Sequence, residues 1–361
     1  VAKNNGGKKK VLASVLATLA IMGAGAQMGT PVQAGGNYGN SAVNIQPDNI
    51  PAGSQGNKVS TNSVVVGYGN DTQTGANGNG HIAYGAGNTA TNESSLAVGN
   101  SNSATGKSTS AIGVGNTASA EASVALGNAN TASGDRSIAI GSGAEATQAE
   151  TIAVGREAKA TAGQTVAIGR LAKANQQYAT AMGYNAQATG SSSLALGRDS
   201  SSSGSSSVAV GYTNKAKQNV AVALGVNNDV DGEESTAVGS SNTIATNANQ
   251  ASVIGRKNKV NRAGSFVGGF SNVTNGERNV AVGSENTTTG EESIGIGTKV
   301  IAGTGKTIAI GGVYNPGGGV EKQTIARGDD TINPATGQVN NVFALAIGNG
   351  AQADGKDNKA S

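Results

Sequence analysis

The chain predicts an all-β solenoid of 14-residue repeats, and three observations carry that expectation. The first is a pentad, seen in Ser123-Val124-Ala125-Leu126-Gly127, that returns down almost the whole length. Its closing glycines are Gly67, Gly85, Gly99, Gly113, Gly127, Gly141, Gly155, Gly169, Gly183, Gly197, Gly211, Gly225, Gly239, Gly255, Gly269, Gly283, Gly297, Gly311 and Gly348, and fifteen of the eighteen steps between them are 14 residues long. A strict period of this kind marks an array whose units bury their apolar faces only by stacking on neighbours. The second observation is composition. With 57 glycines, no tryptophan and 3% aromatic residues, the chain cannot fill the large-residue core of an ordinary enzyme of its length. The third is alternation. Val, Ile or Leu usually fills pentad positions two and four, and small residues such as Ala144 and Ala146 alternate again beyond the glycine. Both patterns are strand signals, so each unit reads as two short strands joined by two turns.

Taken in order, residues 1–34 carry a Lys cluster, an apolar run from Val11 to Met22 and small residues ending in Val32-Gln33-Ala34, the build of a secretory signal peptide cleaved after Ala34. The apolar run is too short for a membrane-spanning helix. Residues 35–63 are rich in Gly, Asn, Ser and Pro and read as a leader into the repeats. The repeats themselves occupy 64–311, with two extra residues between Gly239 and Gly255. Residues 312–343 break the beat and read as an insertion loop, and 344–361 hold a last rung and the start of a connection to a further region. The seventeen rungs closing at Gly85 through Gly311 would stack to roughly 75–80 Å at a parallel-strand spacing.

Charge points to no polyanionic partner. The net +3 arises from Lys3, Lys8, Lys9 and Lys10; beyond residue 34 the balance is 21 basic against 22 acidic residues. Nucleic acid and anionic membrane are therefore not expected as partners. Absence of cysteine removes disulfides, thiolate nucleophiles and thiolate metal sites together.

Residue size assigns the faces. A 14-residue coil leaves a narrow interior, so the pentad Ala and the Ala or Asn of the second strand are expected inside. Asn102, Asn116, Asn130, Asn214, Asn228, Asn242, Asn258, Asn272 and Asn286 share one position and suggest amides bonded rung to rung. The next position carries Glu145, Lys159, Lys173, Lys215, Asp229 and Lys259, so that face is solvent. The larger apolar residues, among them Val124, Leu126, Ile138, Ile140, Ile152, Val154, Val166 and Ile168, then point outward as a stripe that another copy must cover. The competing arrangement places Val and Ile inside a monomeric coil.

No catalytic, cofactor-binding or metal-binding residue is expected. The single histidine, His81, opens a strand with no converging carboxylate or hydroxyl, and reads as an ordinary strand residue. Gly303-Thr304-Gly305-Lys306-Thr307 echoes a phosphate-binding loop, but Val300 stands where the motif's first glycine belongs. The acid pairs Glu233-Glu234 and Glu291-Glu292 fall in far turns, as solvated charges or cation ligands, and the basic run Arg256, Lys257, Lys259 and Arg262 forms a solvated edge or a hold for an anionic glycan. The sharper candidate is the position after the rung glycine. Arg156, Arg170, Tyr184, Arg198 and Tyr212 fill it on five consecutive rungs and should form one edge ladder suited to partner binding. Tyr314 and Asn315, in the excursion, are further candidates.

The pentads and the x-x-Asn/Ala-x-Ala-x-Gly that follows them resemble the YadA-like head repeats of trimeric autotransporter adhesins over residues 64–311 and 344–348. The resemblance implies a left-handed parallel β-roll, a homotrimer, and export through a signal peptide to the outer-membrane surface of a Gram-negative bacterium. It also implies binding to a host extracellular-matrix protein, or to a host surface receptor such as the carcinoembryonic-antigen-related kind. A neck, coiled-coil stalk and C-terminal anchor belong to that pattern and are not in this sequence, so the chain is expected to be the N-terminal piece of a longer protein. Two other readings stand beside a non-enzymatic adhesin head: a spacer presenting another domain, and a left-handed β-helix acyltransferase. The latter expects a hexapeptide period and an active-site histidine, neither of which is seen.

Overall fold

The computed structural model describes residues 42–45, 56–60, 62–73, 79–313, 321–328, 344–354 and 359–360. The expected signal segment 1–34, together with Tyr314 and Asn315, lies outside the described residues. Among the described residues every regular element is a strand. The pentads build one 20-stranded sheet. Each pairs in parallel and in register with the pentads before and after it, so that Val124, Ala125 and Leu126 face Ile138, Ala139 and Ile140. The second strands are two residues long and stack in the same way, Thr131 on Glu145 and Ala132 on Ala146. The product is a parallel β-solenoid with one coil per repeat.

Its interior is made mainly of alanine. The pentad alanines Ala97, Ala111, Ala125 and Ala139 and the second-strand alanines Ala104, Ala118, Ala132 and Ala146 are fully buried. Burial extends to pentad position one, which the sequence reading left outside the core: Ser95, Thr109, Ser123 and Ser137 are also inside. For two of them the far turn supplies the hydroxyl's acceptor: Ser123 Oγ donates to the Ala120 carbonyl at 2.8 Å and Thr109 Oγ1 to that of Gly106 at 2.8 Å, whereas Ser137 Oγ makes no such bond. His81 occupies this same column. It precedes the strand Ile82–Ala86 rather than belonging to it, and its buried ring places Nδ1 2.7 Å from the Asn92 carbonyl.

The expectation of small residues alone inside fails at Val65, at Val300 and most densely over residues 230–267. Val230, Ile244, Val253, Val260 and Val267 are fully buried there. Ile244 sits in the coil lengthened by two residues, where Ala248 and Ala251 are buried as well. The longer coil has room for a branched side chain.

Two adjacent glycines show what the beat requires. Gly113 has φ +123°, and a Cβ on it would lie 2.0 Å from the Gly127 carbonyl oxygen of the next coil. Coils approach too closely there for any side chain. Gly115 has φ +65° and nothing within 4 Å of its would-be Cβ. The equivalent turn position elsewhere holds Ala129 at 53° or Glu157 at 57°.

The stack is longer than the uniform beat. Val43–Ile45, in the segment read as a leader, pairs in parallel with Val64–Val66. Beyond Gly311, Ile325–Arg327 pairs with Ile301–Ala302 and with Gln352–Asp354. The break of 312–343 is therefore not one loop. It contains a second strand of the solenoid, Ile325–Arg327, and the beat is lost because extra residues stand before and after that strand.

Candidate functional site

The asparagine column braces the turn that follows each rung glycine. Asn130 Nδ2 donates to the Leu126 carbonyl at 2.9 Å and to the Gly141 carbonyl of the next coil at 2.9 Å, bracing the chain on both sides of the glycine. Pentad strands are five residues long in such rungs, as in Val124–Asn128. On five consecutive rungs Ala144, Ala158, Ala172, Ala186 and Ser200 stand in place of Asn; the first keeps the five-residue strand Ile138–Ser142, and on the other four the strands Ile152–Val154, Val166–Ile168, Thr180–Met182 and Leu194–Leu196 stop before the glycine. Arg156, Arg170, Tyr184 and Arg198 thus project from turns rather than from paired strand.

The structure brings the ladder together. Arg170 lies over the Tyr184 ring at 5.6 Å from its centroid; Arg198 lies over Tyr184 at 5.8 Å and over Tyr212 at 5.5 Å. Cation and aromatic alternate along the solenoid axis from Arg170 to Tyr212, Arg156 standing outside these ring contacts, and all five side chains are exposed. Each contact contributes about 0.5–1 kcal/mol at an exposed site. Arg156 pairs with Glu157 at 3.0 Å and Arg198 with Asp199 at 3.2 Å, while Arg170 is followed by Leu171.

A second member of the same column went unnoticed in the sequence. Arg256, grouped above with a basic run, lies 4.8 Å from the Phe270 ring centroid. Both follow a rung glycine, so spacing alone could have found the pair. Lys257, Lys259 and Arg262 are exposed.

The opposite turn carries ion-pair columns. Arg136 Nη2 reaches Glu150 Oε1 at 2.7 Å, and Gln164 Nε2 donates to Glu150 Oε2 at 3.0 Å. The Arg136 hydrogen bond, then that of Gln164, holds the Glu150 carboxyl below its ordinary value. Lys306 and Arg278 do the same for Glu292, Lys306 having the larger effect. Lys306, the lysine of the phosphate-loop echo, is thus engaged in an ion pair. Glu233 and Glu234 accept from Asn219 and Gln250.

Outward residues of the pentad sheet form the apolar stripe. Val124, Ile138, Ile140, Ile152, Val154, Val166 and Ile168 are half-buried and Leu126 is exposed.

Nine overlapping matches, each spanning two copies of the repeat, place the family described as YadA head domain repeat on residues 104–242. Residues 104–242 thus carry the repeats of a YadA-like head domain, the kind found in trimeric autotransporter adhesins. The matched segment contains every rung of the Arg–Tyr ladder. No curated protein matches the chain. The match to YadA head repeats, with the β-solenoid fold, points to an adhesin-type head domain, a kind carried on the surface of Gram-negative bacteria.

Proposed function

We propose that this head attaches the bacterium to a host extracellular-matrix protein or a host surface receptor, the carcinoembryonic-antigen-related receptors included, and that the exposed Arg156–Tyr212 edge makes the contact. The alternating guanidinium and phenol stack carries this reading. It presents the side chains that binding hot spots favour, already ordered against one another, so less side-chain entropy is lost on docking. Tyr314 and Asn315 are proposed as secondary contacts.

The active form is a homotrimer whose chains cover one another's Val124–Ile168 stripe. Burial at roughly 25 cal/mol per Å2, repeated at each rung, makes association obligatory. Export through the 1–34 signal peptide and attachment to the outer membrane through a C-terminal anchor outside this chain complete the proposal.

A binding screen of the purified trimer against matrix proteins and epithelial receptors tests it. Saturable binding to at least one of them is expected. A trimer that binds none would indicate a spacer that holds another domain away from the cell.

A further inference from the structure

Beside the ladder, on rungs 155–183, the surface opens into a depression of about 390 Å3. Leu171, half-buried, and Ala172, fully buried, supply apolar lining. Lys173, Asn185 and Gln187 stand around it. The volume lies at the low end of small-ligand sites, about 300–1,000 Å3, and suits a ring-sized group.

Charge accounting leaves this spot positive. Glu157 at the rim is taken up by Arg156 at 3.0 Å, and the neighbouring Lys159 by Glu145 at 2.8 Å. Among the described residues Lys173 and Arg170 enter no ion pair; the Arg170 guanidinium rests on Tyr184. Asn185 donates to Asp199 at 2.9 Å, and Gln187 Nε2 donates to Asn185 Oδ1 at 3.3 Å. Those bonds fix the amide pair while leaving Gln187 a free carbonyl oxygen and a second N–H.

We propose that this depression is a subsite for an acidic sugar unit. Lys173 holds its carboxylate or sulfate, Gln187 its hydroxyls and Leu171 the apolar face of its ring, while Arg170, next to Leu171 in the chain and outside the lining, adds positive charge nearby. An extended acidic peptide fits less well: it cannot add as a strand here, because the second strands Lys159–Ala160, Lys173–Ala174 and Gln187–Ala188 are paired on both sides. The inference rests on the adhesive reading of this edge and narrows it to a ligand class.

Calorimetric titration of the full chain tests it with four probes: an unsulfated uronic acid–N-acetylhexosamine disaccharide, its sulfated form, a neutral disaccharide and hexaglutamate. Both or either acidic disaccharide should bind, the stronger identifying carboxylate or sulfate as the group held, and the neutral sugar should not. Lys173→Gln should weaken binding about tenfold, the loss of one charge-assisted contact, and Arg170→Gln should weaken it further. Lys107→Gln, distant from the depression, should change nothing. No binding by the unaltered chain, equal binding of the neutral sugar, stronger binding of hexaglutamate, or indifference to Lys173→Gln would overturn the inference. If the head still attaches to a host protein while neither acidic sugar binds, the subsite alone is wrong. If the sugars bind and no host molecule does, the attachment proposal is what fails.

Discussion

Asn116 Nδ2 donates to Asn102 Oδ1, 14 residues earlier, at 2.9 Å, and Asn116 Oδ1 accepts in turn from Asn130 Nδ2 at 2.8 Å. The same amide also bonds the Ile112 and Gly127 carbonyls at 3.0 and 2.7 Å. Each buried asparagine therefore ties three coils. Asn116→Ala removes the acceptor of the Asn130 backbone N–H and Nδ2, while Asn102 Oδ1 keeps the residue-116 N–H, and should lower stability by about 1–3 kcal/mol in denaturant unfolding. A loss under about 0.5 kcal/mol would show that the column is not what holds the coils in register.

Gly113 and Gly115 separate close approach from backbone conformation. Gly113→Ala drives a methyl into the Gly127 carbonyl and should cost more than about 3 kcal/mol. Gly115→Ala, with open space and φ +65°, should cost about 1 kcal/mol. Equal melting temperatures for the two variants would contradict this distinction.

Glu150 and Glu292 have carboxyls depressed by cationic neighbours. A depressed folded-state value contributes stability that is present above the ordinary carboxylate value of about 4.3 and is lost as pH falls through the folded value. Melting temperature at low salt should thus decline as pH drops below about 4, and the Glu150→Gln, Glu292→Gln double variant should show a shallower decline. Both side chains are exposed, so salt at about 1 M should erase most of the difference between the proteins.

The outward stripe makes a separate prediction. Ile140→Asp with Ile168→Asp places charges on the outer face while leaving the alanine interior untouched. Light scattering should then report single chains at micromolar concentration, with the circular dichroism of a β-solenoid retained. A persistent trimer would place the interface elsewhere.

Much of this was legible because period and size are local properties of a solenoid. The beat of Gly127 and Gly141 and the alternation of Ala125 with Val124 and Leu126 determine register and face without knowledge of distant contacts. The position after the glycine likewise aligned Arg170, Tyr184 and Arg198 before any coordinates. Buried Ser123 was not legible, since a serine reads as surface until the turn carbonyl that satisfies it is known. Ile325–Arg327 was hidden because extra residues before and after it removed the spacing that marks a strand. The depression beside Leu171 depends on which charges neutralise one another, and ion pairs such as Lys159–Glu145 link neighbouring coils through side chains whose reach the period does not encode.

The central claim is that the Arg–Tyr edge binds and the rest of the coil supports it. The most direct measurement is the dissociation constant of the Tyr184→Ala, Arg198→Ala double variant for whichever host molecule the unaltered trimer binds, with trimer mass checked by light scattering. The account predicts an intact trimer and affinity weakened by at least about thirtyfold, two hot-spot side chains at about 1 kcal/mol or more each. An intact trimer with unchanged affinity would contradict it.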